Sequence, residues 1–158
     1  MKLLFGGKEV RWALWALRER LAEACKQDGY TYKFDVSIPV AKFSEVTESV
    51  TELMKGYPVL YCMGYGHVGD GNLHLNIVSK KFEKDVKSAL EIFVFESVAQ
   101  LNGSVSAEHG LGFHKNECIR YSKGTSAVKL MKRIKALFDP NCVLNPYKTL
   151  SSSVISGV

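Results

Sequence analysis

The 158-residue chain predicts an α+β fold, a ferredoxin-like antiparallel sheet with packed helices plus a C-terminal helical segment. Three observations lead there. Tyr30 to Ile38 alternates apolar and polar residues without a break, two apolar runs face each other across Gly69-Asp70-Gly71, and the stretches between strands repeat apolar residues at helical spacing.

In chain order, Val10, Leu14, Leu17, Leu21 and Cys25 mark one helix between Glu9 and Gln27, with Gly29 past its end as a stop. The first strand then sets Tyr30, Tyr32, Phe34, Val36 and Ile38 on one face and Thr31, Lys33, Asp35 and Ser37 on the other, because successive strand side chains point to opposite sides. Pro39 has no N–H to donate and ends it. Phe43, Val46, Val50 and Met54 put a second helix over Val40 to Met54, packed on the sheet and stopped by Lys55-Gly56. Val59 to His67 and Asn72 to Ser79 form an antiparallel pair, since Asp-Gly between apolar runs is the strongest short hairpin signal. Val86, Leu90, Phe93, Val94 and Val98 place a long helix over Phe82 to Leu101, closed by Asn102-Gly103, and Ser104 to Ala107 forms a last short strand.

This order of strand, helix, strand, strand, helix, strand is that of the split βαβ sheet, with its helices on one face. Beyond it, Ala127 to Phe138 reads as a further helix broken by Asp139-Pro140, followed by the irregular Leu144-Asn145-Pro146-Tyr147-Lys148 and a small-residue terminus. No repeat or linker divides residues 1–158, so one domain is expected.

With 46% hydrophobic and 23% charged residues the chain is not a disordered or low-complexity one. Its longest uncharged run, Gly56 to Gly69, falls short of the ~20 apolar residues that a bilayer span needs, so no transmembrane segment is expected. Cys25, Cys62, Cys118 and Cys142 are scattered, without the clustering of a disulfide framework, and read as reduced thiols. Met1-Lys2-Leu3-Leu4-Phe5 is too short an apolar stretch for a secretory signal. The net charge of +5 admits either nucleic acid or an anionic metabolite. RNA-recognition domains share the element order but stack bases on aromatics of their central strands, and Asn72 to Ser79 has none; no nucleic-acid partner is expected.

Chemistry concentrates around the histidines His67, His74, His109 and His114. A two-residue Asp70-Gly71 turn sets His67 directly opposite His74, with Cβ atoms roughly 4.5–5.5 Å apart, where one metal ion could bridge them. The same parity puts Asn76 on that polar, open face and Leu73, Leu75 and Ile77 on the other, opposite Gly64 and Gly66. A catalytic divalent site needs a third protein ligand, and Glu108 in Ser104-Val105-Ser106-Ala107-Glu108-His109-Gly110 is the candidate. The spacing alone leaves a plain cross-strand surface pair equally open, because H-x6-H is not a diagnostic metal signature.

Three motifs then appear in order. Gly64-Tyr65-Gly66-His67-Val68-Gly69-Asp70-Gly71-Asn72-Leu73-His74-Leu75-Asn76, Ser104 to Gly112, and Asp139-Pro140 to Leu144-Asn145-Pro146-Tyr147-Lys148 resemble the C-terminal part of the D-2-hydroxyglutarate dehydrogenase family, FAD enzymes of the vanillyl-alcohol-oxidase type. The resemblance runs from about Leu14 to Leu150. It implies oxidation of D-2-hydroxyglutarate to 2-oxoglutarate, with hydride transfer to FAD and an electron acceptor downstream of the flavin. It further implies zinc or a similar divalent metal on His67, His74 and Glu108, His109 as general base and substrate contact, and substrate contacts from Asn76, Arg18 and Lys33.

Asn145 and Lys148 match a motif near the flavin, while His114 matches no role and is expected at the surface. Ala22 stands where the family commonly has a hydroxyl residue, one helical turn after Arg18. The family's N-terminal FAD-binding domain has no counterpart among these residues, so the chain is expected to be a fragment supplying the metal and substrate side, inactive alone. The eukaryotic relatives are mitochondrial, which is the compartment the resemblance implies. A D-lactate dehydrogenase-type flavoenzyme domain and a non-catalytic remnant that binds a ligand or partner are the alternatives.

Overall fold

The computed structural model describes residues 7–150, so Met1 to Phe5 and the small-residue terminus after Leu150 lie outside the described residues. Helices α1 (Lys8–Glu19) and α2 (Leu21–Asp28) precede strand β1 (Tyr30–Ser37). A short 3₁₀ turn leads into α3 (Phe43–Leu53), the hairpin β2 (Val59–His67) and β3 (Asn72–Ser79) follows, and α4 (Lys84–Gln100) returns the chain to the sheet. After a 3₁₀ segment at Asn116–Tyr121 comes α5 (Thr125–Phe138).

The sheet is antiparallel with β3 in the centre, in the order β1-β3-β2. The expected fourth strand shrinks to one antiparallel bridge, Ser37 to Ser104, on the outer edge of β1. Ser37 and Ser104 exchange both backbone hydrogen bonds at 2.9 Å, and two residues back along β1 the Asp35 carbonyl accepts from the Ala107 N–H at 3.2 Å. Between them the Val105 N–H turns to Ser122 Oγ instead of to a strand, which ends the ladder. The spatial order, with this segment beside β1, is the one expected of a ferredoxin-like sheet.

One sheet face carries the core. Tyr32, Phe34, Val36, Leu73, Leu75 and Ile77 meet Val46, Val50 and Met54 of the α3 region and Val86, Leu90, Val94 and Val98 of α4. Gly64 is needed there: a Cβ would stand 2.3 Å from Thr47 Oγ1, so α3 could not lie as close over β2 with any larger residue.

Three further expectations are corrected. First, the helix expected over Glu9 to Gln27 breaks at Arg20 into α1 and α2. The break lets α2 lie against the polar side of the sheet, where Cys25 is fully buried and Asn76 Nδ2 faces its Sγ at 3.8 Å. Second, helices therefore cover both faces and the polar face is not open: Asp35, Asn72 and Asn76 are each under 5% exposed.

Third, the hairpin turn has four residues, not two. Val68–Asp70 forms a 3₁₀ turn closed by Gly71 at φ 66°, a left-handed conformation that favours glycine. The Gly71 carbonyl accepts from the Ile38 N–H at 3.0 Å, tying the turn to the end of β1. His67 consequently pairs with Asn72, and His74 with Tyr65. A slip of two residues keeps parity, so both histidines stay on one face but sit diagonally instead of opposite.

Among the described residues, α1 leaves Trp12, Leu14, Trp15 and Leu17 exposed, and α5 leaves Leu130, Ile134, Leu137 and Phe138 exposed. Asp139 anchors the turn after α5: its carboxylate accepts from the Val143 and Leu144 N–H groups at 2.9 and 3.0 Å and pairs with Lys135.

Candidate active site

The polar sheet face gathers four elements around a cleft of about 340 Å³. β3 supplies His74 and Asn76, β1 supplies Lys33, β2 supplies Tyr65 and His67, and the loop after the Ser37–Ser104 bridge supplies Glu108 and His109. Arg18 and Ala22 reach the cleft from opposite sides of the α1–α2 break.

At its centre is one carboxylate oxygen. Glu108 Oε1 lies 3.7 Å from His67 Nε2, 3.3 Å from His74 Nε2 and 3.5 Å from His109 Nε2. The His67 and His74 rings meet edge-on with centroids 5.4 Å apart, and His109 stacks on His74 at 5.6 Å. Burial pushes the His74 imidazole below its usual pKa, and the nearby Asp35 and Glu108 carboxylates only partly oppose it. A lowered pKa favours the neutral imidazole, the form that binds a metal.

The donor set suits a divalent ion. Donor atoms about 2.0–2.1 Å from a tetrahedral zinc stand roughly 3.3–3.4 Å from one another, and the separations around Glu108 Oε1 are close to that. Among the described residues, Asp35, His74, Glu108 and His109 offer donor atoms all within 4.8 Å of one another, so a possible metal-ligand group is present. It shares His74 and Glu108 with the expected trio, adds Asp35 and His109, and does not include His67, whose Nε2 stands 3.7 Å from Glu108 Oε1.

The cations and amide flank this centre. The Arg18 guanidinium stands 4.9 Å over the Tyr65 ring and its Nη2 is 3.5 Å from the Gly66 carbonyl oxygen, so the side chain is held along β2 with its charge toward the cleft. Lys33 is exposed on β1, paired in register with Asn76. Asn76 was expected on an open face; it is 2% exposed and its Nδ2 donates to Tyr65 Oη at 3.0 Å. His114 is exposed and rests against Phe113, in keeping with a surface residue.

Asn145 and Lys148 are not brought to this cleft. Lys148 Nζ donates to Asn145 Oδ1 at 3.1 Å, and both line a larger, mainly apolar cleft of about 810 Å³ between the C-terminal segment and α5. Two residues escaped the sequence reading. Tyr65 shares strand parity with His67, a signal that was there to use. Asp35 sits on the polar face of β1 opposite His74, but nothing in its alternation pattern distinguishes a buried carboxylate from a solvated one.

One small cleft on a three-stranded sheet thus gathers imidazoles, a carboxylate and two cations from the strands, α1 and the loop that follows the Ser37–Ser104 bridge. The chain belongs to the family of FAD linked oxidases, C-terminal domain, which it matches over residues 6–149. Among relatives, it is 50% identical over 142 residues to the mitochondrial D-2-hydroxyglutarate dehydrogenase of Danio rerio, covering 90% of this chain and 26% of that protein. The corresponding enzyme of Rattus norvegicus is 49% identical over 137 residues, covering 87% of this chain and 25% of that one. D-2-hydroxyglutarate–pyruvate transhydrogenase of Saccharomyces cerevisiae is 43% identical over 143 residues, covering 85% of this chain and 29% of the relative. The chain spans about a quarter of the length of these curated relatives.

Proposed function

We propose that this chain supplies the metal and substrate side of an FAD-dependent D-2-hydroxy acid dehydrogenase that oxidises D-2-hydroxyglutarate to 2-oxoglutarate in mitochondria. The observation that carries this reading is the convergence of His67, His74 and His109 on Glu108 in a cleft that also receives Arg18 and Lys33. The family and the names of the relatives supply the flavin, the substrate and the compartment.

The proposed ligands are His67, His74 and Glu108, and zinc or a similar ion there would acidify a bound hydroxyl and orient the neighbouring carboxylate. His109 takes the hydroxyl proton on Nε2, which faces the same carboxylate oxygen as the ligands and therefore the same bound group. Arg18 and Lys33 approach from α1 and β1 and grip the substrate carboxylates, with Asn76 and its partner Tyr65 forming the polar floor. Bound FAD would supply the acceptor for the hydride that leaves C2, and a downstream acceptor would reoxidise it. Within this chain Asn145 and Lys148 are the proposed flavin contacts, and the part of the relatives' length outside the match would supply the rest. Holding the donor carbon against the flavin needs both sides of the site, so these residues alone are expected to bind without turning over.

The D-lactate reading is weaker, because a monocarboxylate leaves one of the two cations without a partner. Lys33→Ala is therefore expected to weaken binding of D-2-hydroxyglutarate to the zinc-loaded chain about tenfold, while binding of D-lactate changes little; calorimetric titration of both acids measures this. Equal losses for the two acids would contradict the placement of the second carboxylate at Lys33.

A further inference from the structure

The four-residue group at the centre of the site poses a question of roles, since Asp35 lies among the candidate donors yet is turned away from the cleft. Its side chain is 2% exposed. Oδ2 accepts the backbone N–H groups of Glu108 and His109 at 3.0 and 2.9 Å and faces Ser106 Oγ at 3.3 Å, while Oδ1 accepts from Asn72 Nδ2 at 2.8 Å. His74 Nδ1 and His109 Nδ1 lie 3.8 and 3.6 Å from the same carboxylate, on the ring edge opposite the Nε2 atoms that face Glu108.

Both oxygens are thus occupied by protein donors. The arrangement has a visible cost: Asn72 Oδ1 is buried with no hydrogen-bond partner. Turning that amide over would set its oxygen against the Asp35 carboxylate, so the orphaned acceptor is accepted in exchange for a donor to Asp35. The burial of Asp35 pushes its carboxyl upward, but the N–H groups of His109 and Glu108 and the Asn72 amide outweigh this and hold it below the usual carboxylate range.

From this geometry we infer that Asp35 is the positioning residue of the site: from β1 it clamps the Glu108–His109 backbone against the sheet and backs the Nδ1 edges of His74 and His109. Nothing else described holds those two backbone N–H groups. Glu108 and His109 are both exposed, and the next core contact of the loop comes only at Leu111, so at these two residues the Asp35 carboxylate is the described tie to the sheet. Carboxylates that orient metal-bound histidines and their neighbours typically contribute 10–100-fold to metal affinity. Asp35 does this without entering the coordination shell.

The inference rests on the proposed metal site, and cobalt(II) titration of the 158-residue chain tests the two separately. Asp35→Asn keeps the shape but faces a donor toward groups that are donors already. It is expected to bind cobalt 10–100-fold more weakly than wild type, with the same visible absorption bands at saturation because the ligands are unchanged. Wild-type affinity in Asp35→Asn overturns the inference while leaving the metal site standing, and altered bands at saturation overturn it by making Asp35 a ligand. A wild-type chain that takes up no cobalt overturns the metal site and the inference with it. Should the variant fail to fold, amide hydrogen exchange in the wild type decides: Glu108 and His109 N–H protected relative to Gly110 and Gly112 supports the clamp, and exchange as fast as those glycines refutes it.

Discussion

His74→Ala is expected to strip the divalent metal from the chain. His74 lies in the central strand, mostly buried, with Nε2 3.3 Å from Glu108 Oε1 and the His67 and His109 rings on either side of it. Removing it takes away the proposed ligand nearest Glu108 and leaves only His67 and Glu108, 3.7 Å apart, of the proposed three. The loss should exceed the roughly 10–100-fold that an outer partner contributes. Metal analysis after purification without a histidine tag should find up to one zinc per wild-type chain and none in the variant. If both carry the same trace amount under saturating zinc, the ligand assignment is wrong.

The second large effect is expected at His109, the most exposed of the three imidazoles around Glu108. That exposure suits a group that must receive a proton from substrate and release it to solvent, whereas the half-enclosed His74 suits a ligand. In a chimera joining this chain to the remaining length of the Danio rerio relative, His109→Ala should slow flavin reduction by D-2-hydroxyglutarate by roughly 10²-fold or more, the usual contribution of a placed base. Metal content should stay near that of the parent, because His67, His74 and Glu108 remain. An unchanged rate of flavin reduction at neutral pH removes His109 from the mechanism; a lost metal makes it a ligand instead.

The strands were legible because their information is local. Alternation from Tyr30 to Ile38 fixes which residues of β1 face the core, and the two apolar runs bracket the hairpin with the observed bounds of β2 and β3. The hairpin register was not local. It depends on the Gly71 carbonyl receiving the Ile38 N–H, a tertiary bond that lengthens the turn and that Asp-Gly alone does not reveal. Because the slip was by two, the placement of His67 and His74 on one face survived an alignment whose direct pairing of them did not.

The break at Arg20 was equally hidden, since no glycine or proline marks it and it exists to lay α2 over the polar face. Glu108 was picked out as a carboxylate beside an imidazole and two glycines, while the role of His109 as base came through motif resemblance, as a loop that follows a single β-bridge has no periodicity to read. Asp35 shows the limit most clearly. Its burial is produced by a segment more than 70 residues further along the chain, so its role emerges only once the fold has brought them together.

The central claim is that metal and substrate share one site on this chain, and thermodynamic linkage tests it directly. If the substrate hydroxyl and carboxylate meet the metal held by His67, His74 and Glu108, each ligand must raise the affinity of the other by the same factor. Calorimetric titration of D-2-hydroxyglutarate into zinc-loaded and metal-free chain is therefore the decisive measurement. The account predicts binding at least about tenfold tighter with zinc, a coupling within the range that linked sites show. Equal affinity in the two titrations, or no binding to the zinc-loaded chain, would contradict it.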